Sequence, residues 1–239
     1  RWIAHRGAGK LAPENTLAAF RLGAQHGYRM FECDAKLSAD GVPFLLHDAT
    51  LERTTNGRGT GGDLPLGALA QLDAGSWHSR AYAGEAVPTL EALARFCIAN
   101  GYFLNIEIKP TPGQEETTGR VVGETAARLW QGQAVPPLFS SFKPDALAGA
   151  QATAAHIPRA LLLDTLWDGC LDTARRLGCV AIVCNHALWD AALVAQVKDM
   201  GMRTLSYTVN DDWAAQRLIA LGTDGIITDR VDLFSPATP

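Results

Sequence analysis

Short apolar segments alternate with amphipathic ones along most of the chain. Strand-length segments of four or five mainly apolar residues lie at 138–141, 160–163, 180–184, 203–207 and 225–228. Helical spacing of apolar residues marks the stretches between them, at 145–154, 168–177, 190–200 and 211–221. The second half of the chain therefore predicts strands and helices in strict alternation.

The first half follows the same pattern with one interruption. A strand at Trp2–His5 precedes a helix that Asn15 or Thr16 can cap and that Gly27 can end. The next elements are a strand from Met30, a helix from Thr89 to Asn100, a strand at Phe103–Ile108 and a helix at 114–131. If the antiparallel arm at 42–46 is left out of the count, the chain has eight predicted strands, and a helix follows each of the first seven. This count predicts an α/β fold, a TIM (β/α)8 barrel rather than an open doubly wound sheet. No Gly-x-Gly-x-x-Gly motif follows a strand to suggest dinucleotide binding.

Two acids and a histidine stand out in the stretch from Met30 to Asp48. Glu32 and Asp34 are two residues apart on a strand, so both carboxylates point to the same face. The loop Ser38-Ala39-Asp40-Gly41 is too short for a parallel crossover, and the arm 42–46 should therefore fold back antiparallel. With the turn centred between Asp40 and Gly41, the register places His47 opposite Asp34.

The segment from about 50 to 88 has no regular pattern, and glycines cluster at 57–62. A bare loop of this length is uncommon in a compact domain, so the segment is predicted to be a small insertion or lid after strand 2. The whole chain, 1–239, is then expected to form a single barrel domain that contains this insertion.

Composition excludes several function classes. A net charge of −4 with dispersed basic residues gives no footprint for nucleic acid or for an anionic membrane. No apolar run approaches the roughly 20 residues that span a bilayer, and no stable membrane association is expected. The five cysteines form no Cys-x-x-Cys pair, which favours reduced thiols in a cytoplasmic protein.

In a TIM barrel the catalytic side chains come from the carboxyl ends of the strands. Three carboxylates, Glu32, Asp34 and Glu107, lie on two strands that are predicted to be neighbours. Oxygen ligands without nearby thiols favour a hard divalent cation, Mg²⁺ or Ca²⁺. The alternative is that the three acids form ion pairs with Arg6 and Lys109.

Two histidines, His5 and His47, are candidates for general acid and base, because imidazole titrates near neutral pH. Arg6 and Lys109 could bind phosphate oxygens or could neutralise the acids. Other strand-end residues are less specific. Phe142 and Trp213 could wall the site or belong to the core, and Asp229 is expected to be structural.

Several short motifs together resemble the glycerophosphodiester phosphodiesterase family. In chain order they are His5-Arg6-Gly7, Pro13-Glu14-Asn15-Thr16, Glu32-x-Asp34, His47-Asp48, Arg53-Thr54-Thr55-Asn56-Gly57, Glu107-Ile108-Lys109 and Thr208-Val209-Asn210. Within the family, the chain resembles the short cytosolic bacterial members. The family commonly has Trp at the position where this chain has Tyr207.

The resemblance implies a TIM barrel that holds one divalent metal ion through Glu32, Asp34 and Glu107. It also implies that His5 and His47 are the acid–base pair and that Arg6 and Lys109 contact phosphate. The implied reaction is hydrolysis of a small glycerophosphodiester to sn-glycerol 3-phosphate and an alcohol. Two alternatives are a phospholipase-type lyase that forms a cyclic phosphate and a barrel that binds phosphodiesters without turnover. No feature of the sequence specifies an oligomeric state.

Overall fold

Eight parallel strands close into a barrel in the computed structural model, which describes residues 1–237. The strands are β1 (Trp2–Ala4), β2 (Met30–Leu37), β3 (Pro43–Leu45), β4 (Phe103–Ile108), β5 (Leu138–Ser141), β6 (Arg159–Leu163), β7 (Ala181–Asn185), β8 (Arg203–Tyr207) and β9 (Gly225–Thr228). All except β3 pair in parallel, and β1 pairs with both β2 and β9. The predicted TIM barrel is therefore confirmed.

Helices connect the strands on the outside of the barrel. They are α1 (Leu17–Gln25), α2 (Leu66–Leu69), α3 (Leu90–Asn100), α4 (Glu115–Leu129), α5 (Pro144–Thr153), α6 (Cys170–Arg176), α7 (Ala191–Asp199) and α8 (Asp212–Ala220). Short polar side chains start several of them: Thr16, Thr89, Asp190 and Asp211 each accept a hydrogen bond from a main-chain N–H in the first helical turn. The predicted helix 168–177 is shorter in the structure because Gly169, with φ +79°, precedes its first turn.

Apolar side chains fill the barrel in a layer below its mouth. Residues alternate between lumen and helix layer along each strand, so every second side chain points inward. The buried inward-facing cluster is Ile3, Leu138, Ala160, Leu162, Ala181, Val183, Leu205 and Ile227. A larger apolar cluster lies between the strands and the helices. The last inward positions of the strands carry polar groups, and these line the open mouth.

The β2–β3 hairpin has a register one residue away from the predicted one. Ala35 pairs with Leu45, and the main-chain N–H of Leu46 donates to the carbonyl of Asp34, so Leu46 and not His47 lies opposite Asp34. The loop is a three-residue turn in which Gly41 adopts φ +79° after a hydrogen-bonded turn. This left-handed residue moves the turn centre to Asp40. His47 still reaches the mouth of the barrel, because the arm continues beyond β3.

The segment between β3 and α3 is the irregular one. It contains α2 and has its own small apolar cluster, formed by Phe44, Leu46, Leu51, Leu69, Ala74 and Val87. Its role as a lid stays a prediction.

All five cysteines are buried and unpaired. Among residues 1–237, no helix combines the length and the apolar character that crossing a membrane requires.

The loop after β1 packs tightly against the end of β9, and Gly9 makes that contact possible. Gly9 has φ +58°, and a Cβ there would overlap the main chain of Asp229. Gly27 has φ +90° but open space around it.

We expect Gly27→Ala to destabilise the protein by about 1–2 kcal/mol, the strain of a left-handed alanine. Gly9→Ala should destabilise it by a further ~1–3 kcal/mol because of the overlap. Urea unfolding of both variants measures the difference, and equal destabilisation would contradict the close packing of this loop on β9.

Candidate active site

A cavity of about 330 Å³ opens at the carboxyl ends of the strands. Both predicted histidines and two of the predicted carboxylates lie in its wall. The lining residues are His5, Arg6, Glu32, His47, Asn105, Glu107, Ser140, Phe142, Leu162, Asp164, Tyr207, Thr208 and Ile227.

Three carboxylates meet on one side of this cavity. Glu32, Asp34 and Glu107 each place an oxygen within 4.8 Å of the others. Strand pairing explains the cluster, because Asp34 on β2 lies directly beside Glu107 on β4. Glu32 Oε1 and Asp34 Oδ1 are buried, and no donor among residues 1–237 reaches either of them. Buried carboxylate oxygens without donors are unfavourable unless a cation binds there.

The carboxylates differ in their pKa. Burial, with added repulsion from Asp34, raises the pKa of Glu107 to about 8. Burial also raises the pKa of Glu32 well above its usual range, and the charges of Asp34 and Glu107 add to this shift. For Asp34 burial acts in the same direction, but Arg6, His47 and Asn15 outweigh it and lower the pKa. Asp34 is therefore the carboxylate that stays charged.

Asn15 holds Asp34 from two directions. Its Nδ2 donates to Asp34 Oδ2 at 3.0 Å, and its Oδ1 accepts from the Asp34 main-chain N–H at 3.1 Å. Asn15 has φ +59°, a left-handed conformation that asparagine tolerates better than most residues. The helix cap is therefore Thr16, and Asn15 fixes the carboxylate.

Arg6 belongs to the loop after β1 and contacts the acids from there. Its main-chain N–H donates to Glu32 Oε2 at 3.1 Å, and its guanidinium Nε lies 3.2 Å from Asp34 Oδ2. Burial lowers the pKa of Arg6, but Asp34, Glu14, Glu32 and Glu107 together raise it above its ordinary value. Arg6 also has a positive φ, +53°, which directs its N–H toward Glu32.

Each of the two histidines at the mouth of the barrel has a carboxylate oxygen within hydrogen-bonding distance of its Nδ1. His5 Nδ1 lies 2.7 Å from Asp229 Oδ1, and His47 Nδ1 lies 2.9 Å from Asp48 Oδ1. A carboxylate in this position holds the proton on Nδ1 and leaves Nε2 available for proton transfer. His5 Nε2 lies 3.8 Å from Glu32 Oε2, at the edge of the acid cluster.

Asp229 is a residue for which the sequence predicts a structural role. The structure places it against His5, and Asn210 fixes it there: Asn210 Nδ2 donates to Asp229 Oδ2 at 3.0 Å.

Arg53 connects the irregular segment to the site. Its guanidinium donates to both oxygens of Asp48, at 2.8 and 3.0 Å, and to both oxygens of Glu14, at 3.0 and 2.7 Å. Glu14 in turn accepts from Arg6 at 3.1 Å. An unbroken series of charged contacts therefore runs from His47 through Asp48, Arg53 and Glu14 to Arg6.

Two lysines lie close to the acids. Lys36 follows Asp34 by two residues on the same face of β2 and is buried, with its Nζ donating to the Lys109 carbonyl at 3.0 Å. Burial and the charge of Lys109 lower the pKa of Lys36 to about 8. Lys109 is half-buried at the end of β4, beside the acids but outside the cavity wall.

The two predicted aromatic residues differ in position. Phe142 lines the cavity and packs edge-on against Tyr207, with ring centroids 5.8 Å apart. Trp213 is 74% exposed in the first turn of α8 and is absent from the cavity wall. Its contact with substrate stays a prediction.

Sequence reasoning did not assign site positions to several residues that the structure places at or beside the site, among them Asn15, Lys36, Arg53 and Asp229. Asn15 and Arg53 belong to motifs of the resemblance, and Lys36 continues the alternation of Glu32 and Asp34. These signals could have identified the three residues. For Asp229, the only sequence feature that could have indicated a place at the site is its position at the end of the last strand.

A TIM barrel with an acid cluster and two carboxylate-backed histidines at its mouth has the features of a class of enzymes, those that combine general acid–base groups with a cluster of carboxylates. Comparison with known proteins narrows this class. The model of the glycerophosphoryl diester phosphodiesterase family matches residues 5–233. The chain therefore belongs to this family and is an enzyme, a phosphoric diester hydrolase.

Relatives support this assignment over the full length. A glycerophosphodiester phosphodiesterase of Caldanaerobacter subterraneus subsp. tengcongensis is 33% identical over 95% of this chain and 93% of the relative. A phosphodiesterase of Oleispira antarctica, solved in complex with the product sn-glycerol-3-phosphate, has a TM-score of 0.89 and 36% identity, covering 96% of this chain and 92% of the relative. The glycerophosphodiester phosphodiesterase of Agrobacterium tumefaciens has a TM-score of 0.81 and 30% identity, with 98% of each chain covered.

The raised pKa of Glu107 predicts how stability depends on pH in the presence of a chelator. The folded state keeps a proton on Glu107 up to about pH 8, whereas the unfolded state loses it near pH 4.3. This group therefore stabilises the protein below about pH 4.3, and the stabilisation disappears as the pH rises through about 8.

Between about pH 5 and about pH 9, wild type should lose at least about 1.4 kcal/mol more unfolding free energy than Glu107→Gln, the equivalent of one pKa unit. Urea unfolding with EDTA at both pH values measures this. Glu124→Gln, an exposed substitution on α4, is the matched control and should behave as wild type. Identical pH dependence of Glu107→Gln and wild type would contradict the assignment.

Proposed function

We propose that this enzyme hydrolyses glycerophosphodiesters to sn-glycerol 3-phosphate and an alcohol, with the help of one divalent cation. The observation that carries the proposal is the acid cluster with its buried unpartnered oxygens, which lies at the same cavity as two carboxylate-backed histidines. The family assignment supports the substrate class, and the complex of the Oleispira antarctica relative supports a small glycerophosphate ligand.

Glu32, Asp34 and Glu107 are the residues that would hold the cation. Their donor set fits a hard ion, because all three offer oxygen and two of those oxygens have no donor among the described residues. Mg²⁺ and Ca²⁺ both fit this donor set. When bound, the ion would offset the negative charge that grows on the phosphoryl oxygens and would acidify a hydroxyl beside it.

Arg6 and Lys109 are proposed to bind the phosphate. Arg6 presents a planar guanidinium at the cavity wall, and its fork matches two phosphate oxygens. Lys109 adds a point charge at the end of the neighbouring strand β4. Charges fixed in advance at a site of developing charge are usually the largest catalytic contribution.

His5 and His47 are proposed to transfer the protons. Each has its Nδ1 fixed by a carboxylate and its Nε2 available. One imidazole takes the proton of the nucleophile, and the other gives a proton to the oxygen of the leaving alcohol. Each transfer contributes roughly 10²- to 10⁴-fold.

The nucleophile is proposed to be the 2-hydroxyl of the substrate's own glycerol. Its oxygen would attack phosphorus as the bond to the alcohol breaks, and water would then open the cyclic phosphate. Direct attack by water is the alternative route. An attacking group within the same molecule is already close to phosphorus, which favours the first route.

The first experiment is release of glycerol 3-phosphate from glycerophosphoethanolamine by the purified protein. We expect release with Mg²⁺ or Ca²⁺ and a loss of at least about 100-fold with EDTA, because the acid cluster without a cation repels phosphate. Glu107→Gln should show the same loss with metal present, and Glu124→Gln should remain active.

Absence of release by a folded protein under every condition would contradict the proposal. A cyclic phosphate as the final product would indicate the lyase, and binding without turnover would indicate the non-catalytic barrel.

The route is tested with a substrate in which hydrogen replaces the 2-hydroxyl. We expect turnover at least about 10³-fold slower, because the internal nucleophile is missing. Competitive inhibition by the same compound is the control that it still binds. An undiminished rate would show that water attacks directly, and phosphorus NMR of the normal reaction would then show no cyclic phosphate.

A further inference from the structure

A further carboxylate lines the cavity at the end of β6, two strands away from the Glu107 strand β4. Asp164 follows β6 directly, two residues after Leu162, and both line the cavity. The barrel therefore carries a carboxylate on β6 as well as the cluster on β2 and β4. The mechanism above does not use Asp164.

Neighbouring strands hold this carboxylate in place. The hydroxyl of Tyr207 lies 3.1 Å from Asp164 Oδ1 and 3.2 Å from the carbonyl oxygen of Leu163, so its single hydrogen is shared between these two acceptors. Asn185 Nδ2 donates to the same Asp164 oxygen at 3.2 Å. Tyr207 and Asn185 are partners in the β7–β8 ladder, so the two donors have a fixed spacing. Burial and the neighbouring Asp164 charge raise the pKa of Tyr207, which keeps its hydroxyl protonated and able to donate.

The second oxygen of Asp164 is available to a ligand. Oδ2 accepts no hydrogen bond from any residue between 1 and 237, whereas Oδ1 accepts two. An ionised carboxylate only accepts hydrogen bonds, so its partner must be a donor. A phosphoryl oxygen is excluded because it would be repelled.

Apolar and polar side chains share the cavity wall around these two carboxylate sites. Phe142, Leu162 and Ile227 are apolar, and the Phe142 ring packs edge-on against Tyr207, whereas Asn105, Ser140 and Thr208 are polar. A short carbon chain that carries hydroxyl groups can contact both kinds of side chain and offers a donor to the Asp164 acceptor. The glycerol half of a glycerophosphodiester has this form.

We propose that Asp164 accepts a hydrogen bond from the terminal sn-1 hydroxyl of the glycerol moiety and thereby determines specificity. A fatty acyl group at sn-1 would remove the donor hydrogen and with it this contact. Tyr207 and Asn185 are positioning residues that act through Asp164. This inference rests on the proposed function.

The test compares two ethanolamine phosphodiesters, one of glycerol and one of propane-1,2-diol, which lacks the sn-1 hydroxyl but keeps the 2-hydroxyl. For wild type, kcat/KM should be about 10- to 100-fold higher with the glycerol compound, the range for a hydrogen bond to a charged acceptor. Asp164→Asn should reduce this ratio to about 3 or less, mainly through the glycerol compound.

Two further variants make the result specific. Asp168→Asn removes the same charge from the same exposed loop and should leave the ratio at its wild-type value. Tyr207→Phe keeps the ring against Phe142 but removes the donor to Asp164, and it should lower the ratio. A wild-type ratio in Asp164→Asn would overturn the proposal.

Glycerophosphoglycerol is the final comparison, because it carries no ammonium group. Asp164→Asn should slow it as much as glycerophosphoethanolamine. A loss confined to the ethanolamine compound would overturn the proposal and place Asp164 beside the head group. Failure of the proposed function would look different, since wild type would then hydrolyse none of these diesters.

Discussion

The burial of three carboxylates within one small volume is the constraint on which the rest of the site depends. Repulsion and loss of hydration both oppose their charged forms, and Arg6, His47 and Asn15 outweigh that opposition only at Asp34. Asn15 donates to Asp34, and the Arg6 main chain donates to Glu32. Glu32 Oε1 and Asp34 Oδ1 have no donor among residues 1–237, which supports the proposed cation site.

The barrel can hold such an unfavourable cluster because the residues that stabilise the fold are different from the residues of the site. Apolar side chains fill the lumen below the mouth and the space between strands and helices. The polar residues of the site lie at or just beyond the carboxyl ends of the strands, where solvent and ligand reach them. The β2–β4 side of the mouth carries the acid cluster, and Asp164 after β6 is a further carboxylate on the cavity wall.

The fold was readable from the sequence because each strand and helix has its own local period. The shared face of Glu32 and Asp34 followed from the alternation of strand side chains. The hairpin register did not follow, because it depends on one left-handed residue, Gly41, whose conformation makes the loop three residues long instead of four. Roles for the site residues came from the ordered motifs rather than from periodicity.

Contacts between distant segments were beyond sequence reasoning. Arg53 reaches Glu14 across 39 residues, and no local pattern shows that an irregular segment returns to the first loop of the barrel. Lys36 is different, since it lies on the same face as the two acids. Its burial was missed because a lysine at the mouth of a barrel is usually assumed to extend into water.

The contact between His5 and Asp229 joins residues 224 positions apart. Within the barrel, β1 leaves the ribosome before the other strands and β9 after them, and the two pair only when the ring closes. A nascent chain can therefore bring the acids of β2 and β4 together while His5 still lacks the carboxylate that fixes its tautomer. During synthesis the proposed cation site thus precedes the completion of the proposed proton-transfer pair.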